Sequence, residues 1–122
     1  LGAGEIVTAV ELPPVVPGLR SRYRKVRARR SWDFALAGVA LALVFEGDRV
    51  ARARVFLSAA APVPWRSKPV EEAITGKKLD TGVIRDAAEA AVKGAEPMGQ
   101  NGYKIPLFRA IIEEELLAIS KA

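Results

Sequence analysis

The order of the sequence patterns predicts an α+β fold. Three observations carry that reading: β-type alternation and apolar runs fill the first half, a Gly-Asp hairpin signal separates two of those runs, and helical apolar stripes fill the second half. Glu5–Leu12 alternates, with Ile6, Thr8, Val10 and Leu12 on one side and Val7 and Ala9 on the other, and Pro13-Pro14 stops it, which predicts a strand. After the Pro17-Gly18 turn, Ser21–Ala28 has β-propensity and no helical stripe, so it reads as a second extended segment. Ser31-Trp32-Asp33-Phe34 then offers a hydroxyl and a carboxylate able to cap a short helical turn where the chain changes direction.

Ala35–Phe45 and Val50–Leu57 flank Glu46-Gly47-Asp48-Arg49, a two-residue hairpin signal. Pairing Glu46 with Arg49 puts Val44/Ala51, Ala42/Ala53 and Ala40/Val55 on one face. Phe45/Val50, Leu43/Arg52, Leu41/Arg54 and Val39/Phe56 fall on the other. The small-residue face is then the expected core. The Leu/Arg face is expected to be half wet or to meet another domain, with arginine stems covering leucines.

Ala59–Pro64 reads as a loop, Pro69 opens a short helix through Thr75, and Gly76 ends it. Asp80 or Thr81 caps a second helix reaching about Gly94. A third, from about Pro106 to Ile119, carries the stripe Leu107, Phe108, Ile111, Ile112, Leu116 and Ile119, with Glu113, Glu114 and Glu115 outside.

Composition narrows the chemistry. At 122 residues the chain fits one small domain with half its residues apolar. Its longest apolar run, Ala35–Phe45, is too short for a bilayer, which needs about 20 residues. Cys and His are both absent, which excludes thiolate ligation and every Ser–His or Cys–His catalytic pair. No Gly-rich phosphate-cradling spacing is present. The chain opens at Leu1 with no Met and no signal-peptide pattern, so it is read as a piece of something longer.

The net charge of +5 is local: Arg20, Arg22, Arg24, Lys25, Arg27, Arg29 and Arg30 fall together, leaving 12 basic against 14 acidic groups elsewhere. Such a patch suits an anionic partner, or simply a solvated strand edge. Glu71-Glu72 and Glu113–Glu115 read as solvated helix faces, because consecutive helical residues point in different directions. Trp65-Arg66 could stack a base or cofactor with the guanidinium as anion partner, but reads first as an anchor that fixes the preceding loop in the core; Gln100–Lys104 is a polar lead-in whose Asn101 or Tyr103 could bond a partner's backbone, with capping of the last helix the plainer account.

The most informative stretch is Arg24–Phe34, where cations run into a carboxylate and two aromatic rings at a chain turn. Those residue types suit a flat acidic cofactor, and they suit single-stranded nucleic acid equally well.

The order of several motifs resembles one known family. Gly4–Pro13, Ser21–Ala37, Val63-Pro64-Trp65-Arg66, Glu71 or Glu72, Gly76-Lys77 and Asn101–Arg109 are together similar to the C-terminal domain of the FAD-binding medium subunit of molybdenum hydroxylases, the group of xanthine dehydrogenase, aldehyde oxidoreductase and carbon monoxide dehydrogenase. The resemblance implies an antiparallel sheet of three to four strands packed on one face by about three helices. It also implies a missing upstream domain that supplies most contacts to FAD, and molybdopterin and [2Fe–2S] centres in partner subunits or domains. The complete enzyme is expected to be a cytoplasmic oligomer without membrane or nucleic-acid contacts.

By motif position Lys25 resembles the family lysine that reaches the flavin, and Phe34 the residue lying against its ring. Asp33, Arg29 and Arg30 correspond to the polar loop beside the ring, and Trp32 joins them as a cofactor contact. A cation there favours negative charge on the ring. Where relatives often carry glycines, this chain has Ala59-Ala60-Ala61. The rival expectation is a small nucleic-acid-binding module that uses the Arg20–Arg30 patch. A third is a structural domain docking through the Leu41/Leu43 and Arg52/Arg54 face.

Overall fold

A computed structural model describes residues 1–122. Its elements are β1 (Leu19–Val26), β2 (Ala37–Glu46), β3 (Arg49–Ser58), β4 (Trp65–Arg66), α1 (Lys68–Ile74), α2 (Thr81–Val92) and α3 (Lys104–Ser120). The strands form one antiparallel sheet in the order β1-β2-β3-β4. All three helices lie on one face: α3 covers β1 and β2, α1 covers β3, and α2 bridges α1 and α3.

Glu5–Leu12 is not a strand here, contrary to its alternation. No backbone hydrogen bond reaches residues 6–12, and Ile6, Val10 and Leu12 are about four-fifths exposed. Alternation gives a segment the capacity to be a strand, but a neighbouring edge must supply the ladder. Ser31–Phe34 likewise turns the chain without any helical turn.

The hairpin forms as expected, but its register slips between Val44 and Phe45. Glu46 pairs Arg49 and Phe45 pairs Val50, after which Val44 pairs Arg52, so Ala51 is an extra, unpaired residue. This bulge exchanges the two faces beyond it. In the uninterrupted register Arg52 and Arg54 would stand beside Leu43 and Leu41. The extra residue sends both arginines outward and brings Ala53, Val55 and Leu57 into line with Leu43, Leu41 and Val39.

The expected core face is therefore overturned. Val39, Leu41, Leu43 and Phe45 are buried beneath the helices, while Ala40, Ala42 and Val44 point to the uncovered side. Burying each of those leucines contributes about 2 kcal/mol, which outweighs the closer approach that alanines would allow. The docking surface expected at Leu41/Leu43 is excluded with it.

The helices end as their sequence signals direct. Asp80 caps α2 by accepting from the Val83 amide at 2.9 Å. Gly76 follows α1 at φ +78°, where a side chain would be strained.

Two carboxylates read as solvated are instead buried ties between layers. Glu115 on α3 accepts from Arg22 Nε of β1 at 2.6 Å. Glu71 on α1 accepts from the Val55 amide at 3.0 Å and from Arg66 at 2.7–3.2 Å, with Arg54 at 3.8 Å. The Arg66 guanidinium, hydrogen-bonded to it, holds the Glu71 carboxyl below its ordinary value of 4.5, against the opposing effect of burial; the Val55 amide adds to the lowering. Glu71 thus takes the place of a further strand residue along the β3 edge, just beyond the short β4.

Candidate functional site

The sheet has two dissimilar ends. At one lie the Gly47-Asp48 turn, the start of β1 and the Gly76–Leu79 connection. At the other lie the β1–β2 loop, residues 27–36, and the loop after β3, residues 59–64. The second end carries the sequence-predicted site.

The 27–36 loop is pinned at its base by the Leu36 amide, which donates to Val26 O at 2.8 Å. Inside it, Asp33 Oδ2 accepts from the Arg29 amide at 3.0 Å and Lys25 Nζ donates to the Asp33 carbonyl at 2.8 Å. Arg29 Nη2 donates to the Trp32 carbonyl at 2.9 Å, holding Trp32 at φ +48°. A bulky residue rarely adopts that conformation, at a cost of about 1–2 kcal/mol. The outcome is a closed polar base with two rings thrown outward: Trp32 is 95% and Phe34 94% exposed.

Lys25, Arg29, Trp32, Asp33 and Phe34 are therefore brought together in this loop, whereas Arg30 makes no hydrogen bond. Phe34 is not beneath the helices. Next to Lys25 on the uncovered sheet face lies Gly38, and next to that Ser58. A Cβ on Gly38 would stand 2.2 Å from Ser58 Oγ, which is itself buried without a partner.

The basic run is not one patch. Arg20, Arg22 and Arg24 share the helix-covered face of β1, while Ser21, Tyr23 and Lys25 share the open face. Arg22 is committed to Glu115. Arg20 stacks 4.2 Å from the Phe45 ring centroid and donates to the Ile119 carbonyl at 3.3 Å. Two of the seven cations are thus spent on internal packing, Arg24 and Lys25 stand on opposite faces of β1, and Arg27, Arg29 and Arg30 lie in the loop that follows.

Two further aromatic rings, Trp65 and Tyr103, are exposed at this end, where the sequence favoured a core anchor and a helix cap over contact with a partner. Trp65 was expected to anchor its loop in the core, yet it is 55% exposed. It borders an open cleft of about 280 Å³ lined by Leu57, Ala61, Val92, Lys104 and Phe108. Core anchoring is supplied instead by Lys104, whose Nζ donates to the Ala59 carbonyl at 2.8 Å. Tyr103, half exposed, caps nothing with its side chain, and Asn101 serves the polar lead-in by accepting from the Met98 amide at 2.6 Å.

The family model of the CO dehydrogenase flavoprotein C-terminal domain matches residues 21–118. The glyceraldehyde dehydrogenase medium chain of Sulfolobus acidocaldarius is 35% identical over 77% of this chain and 33% of its own length. The aldehyde oxidoreductase FAD-binding subunit PaoB of Escherichia coli is 34% identical over 93% of this chain and 32% of its own. The carbon monoxide dehydrogenase medium chain of Hydrogenophaga pseudoflava is 26% identical over 97% of this chain and 42% of its own.

Among solved structures, carbon monoxide dehydrogenase from Hydrogenophaga pseudoflava lacking the Mo-pyranopterin moiety superposes with a TM-score of 0.79 at 28% identity, over 88% of this chain and 39% of that one. Quinoline 2-oxidoreductase from Pseudomonas putida 86 gives 0.76 at 26% identity, over 86% and 38%. This chain spans about a third to two-fifths of the length of these curated relatives. The sheet order, the helices on one face and the match over most of the sequence agree: the chain belongs to the CO dehydrogenase flavoprotein C-terminal domain family, homologous to the FAD-binding medium subunits of molybdenum hydroxylases.

Proposed function

We propose that this chain is the C-terminal domain of the FAD-containing electron-transfer subunit of a molybdenum hydroxylase, and that its 27–36 loop closes one side of the flavin site. The observation that carries the reading is the pair of almost wholly exposed rings, Trp32 and Phe34, held on a hydrogen-bonded loop beside Lys25. Exposing two large rings in water costs free energy that a flat partner would recover.

The residues fit half of such a ligand. Rings and cations suit an isoalloxazine and its carbonyl oxygens. The chain has no glycine-rich loop for a pyrophosphate, so an upstream domain of the same polypeptide is assigned that role. When bound, FAD supplies a carrier that passes electrons between iron–sulfur centres and a final acceptor.

Phe34 packs against the ring and excludes water from it. Lys25 has one N–H committed to the Asp33 carbonyl and keeps two more for a carbonyl oxygen of the cofactor. Arg29 and Asp33 fix the loop's shape, Trp32 borders the ring, and Arg30 remains free to meet an anionic group. In the assembled oligomer, molybdopterin and [2Fe–2S] centres belong to partner subunits or domains.

The test uses the full-length subunit. Lys25→Ala is expected to lower the flavin reduction potential by tens of millivolts, because removing a nearby cation disfavours added negative charge. Phe34→Ala is expected to lower FAD retention. If both variants keep the parent's flavin content and potential, the loop serves subunit docking alone. The 122-residue chain by itself is expected to bind FAD only weakly, and a micromolar or tighter dissociation constant in a flavin fluorescence titration contradicts that division of labour.

A further inference from the structure

We infer that the outer edge of β1 is a docking site for an extended acidic segment of another polypeptide, which adds to the sheet as a further strand beside Leu19–Val26. The inference goes beyond the flavin reading and does not depend on it.

The two edges of the sheet are treated differently. Along β3 the outward main-chain groups find partners within this chain. Val50 exchanges bonds with Gly76 and Lys77 at 2.7 and 3.0 Å, the Ala53 carbonyl accepts from Arg54 at 2.9 Å, and Val55 is met by Glu71 and the Ser67 amide. β1 is the opposite edge. Gly18 lies across from Phe45 and accepts from its amide at 2.9 Å, so in the antiparallel ladder the even-numbered residues that follow face β2. The odd-numbered ones turn their N–H and C=O groups outward. The Leu19 amide, at the start of the strand, closes back on the Val16 carbonyl at 3.2 Å, but the main chains of Ser21, Tyr23 and Lys25 have no such partner. Residues 21 to 25 are all exposed, and the strand holds neither proline nor bulge.

Charged side chains ordinarily shield such an edge. Here most of that shield is turned away. Arg20 reaches over Phe45 to the Ile119 carbonyl, Arg22 is held by Glu115, and Lys25 Nζ is held by the Asp33 carbonyl. The side chains of Arg24, and of Arg27 and Arg30 just past the strand, form no hydrogen bond or ion pair, and β1 carries no acidic residue. These open cations decide the occupant. Main-chain bonds hold any extended segment, and acidic side chains toward the Arg24 end match the charge that is left. A second copy of this chain is disfavoured, because antiparallel pairing of two β1 strands brings arginines against arginines.

The test uses the full-length subunit and a fluorescently labelled peptide of alternating valine and glutamate, as long as β1. Saturable binding by fluorescence anisotropy is expected, weakened at least about tenfold by Arg24→Glu and by exchanging the glutamates of the peptide for lysine. Tyr23→Pro, which removes one outward donor and no ladder bond, is expected to weaken it to the same degree. In hydrogen–deuterium exchange the peptide is expected to slow the amides of Ser21, Tyr23 and Lys25 by about tenfold or more, while those of Arg20, Arg22 and Arg24, already in the ladder, change less. Absence of saturation by about 1 mM peptide overturns the proposal. So does binding that survives Arg24→Glu or that takes the lysine peptide equally well. Amides 21, 23 and 25 already protected in the free subunit also overturn it, since its own upstream chain or a second copy then covers the edge. None of these readouts depends on whether Lys25 or Phe34 touches flavin.

Discussion

The two ends of the sheet solve the same problem, turning the chain, in opposite ways. At the hairpin end the positive-φ positions are Gly18, Gly47 and Gly76, which adopt them without strain. Backbone bonds such as Phe45 N to Gly18 O at 2.9 Å and Gly76 N to Val50 O at 2.7 Å close that end, and Arg20 seals it over Phe45. At the loop end the two non-glycine residues with positive φ, Trp32 and Ala59, both appear, together with the exposed rings of Trp32, Phe34, Trp65 and Tyr103 and the unpartnered Ser58 hydroxyl. Strain and exposure concentrated at one end, with satisfaction at the other, are what a domain built to stand alone on one side and to meet something on the other should display.

The largest break in this contrast is expected from Gly18→Ala. Its Cβ would stand 2.2 Å from the Phe45 carbonyl oxygen, and φ is +76°, so urea denaturation should show a loss of about 3 kcal/mol or more. Next comes Glu71→Gln on the β3 edge between the ends, expected to cost about 2 kcal/mol because Arg66 and the Val55 amide lose a charged acceptor.

That carboxylate also sets a pH dependence. Its folded value is depressed, so its contribution is complete above its ordinary value of 4.5 and is lost as pH falls through the depressed one. Acid titration of stability should therefore fall more steeply below 4.5 in the parent, levelling off once the depressed value is passed, and show less of that fall in Glu71→Gln.

Smaller effects sharpen the comparison at the loop end. Gly38→Ala should cost about 1–2 kcal/mol, since its Cβ meets the rotatable Ser58 hydroxyl and lies 3.1 Å from the Arg24 carbonyl; Ser58→Ala in the same chain should restore part of that. Ala59→Gly should raise stability by about 0.5–1 kcal/mol by relieving φ +62°, a gain that no glycine turn at the other end can offer. Phe34→Ala, with its ring in water, should leave thermal unfolding within about 0.5 kcal/mol of the parent. A large loss there would mean the ring packs within this domain.

Much of the fold was legible because its signals are local. Gly47-Asp48 between apolar runs, Asp80 ahead of α2 and the Leu107–Ile119 stripe each depend on a few neighbouring residues, and each element appears where those residues put it. Of the site, the grouping of Lys25, Arg29, Trp32, Asp33 and Phe34 was legible because all lie within one loop and its flanking strand. For Trp65 and Tyr103 the sequence offered exposed and packed readings side by side, because the choice between them depends on distant elements packing around them.

By itself, then, the sequence determined the α+β order of elements, the hairpin, the helix limits and the chemistry excluded by the absence of Cys and His. Only the tertiary structure decided which sheet face is buried, because one unpaired residue, Ala51, reverses the alternation, and a register is chosen by the summed burial of many side chains at once. It alone decided that Glu71 and Glu115 are ties rather than solvated charges, since a carboxylate's partner on another element has no trace in its own neighbours. It alone left Glu5–Leu12 unpaired, because a strand exists only where a second edge meets it.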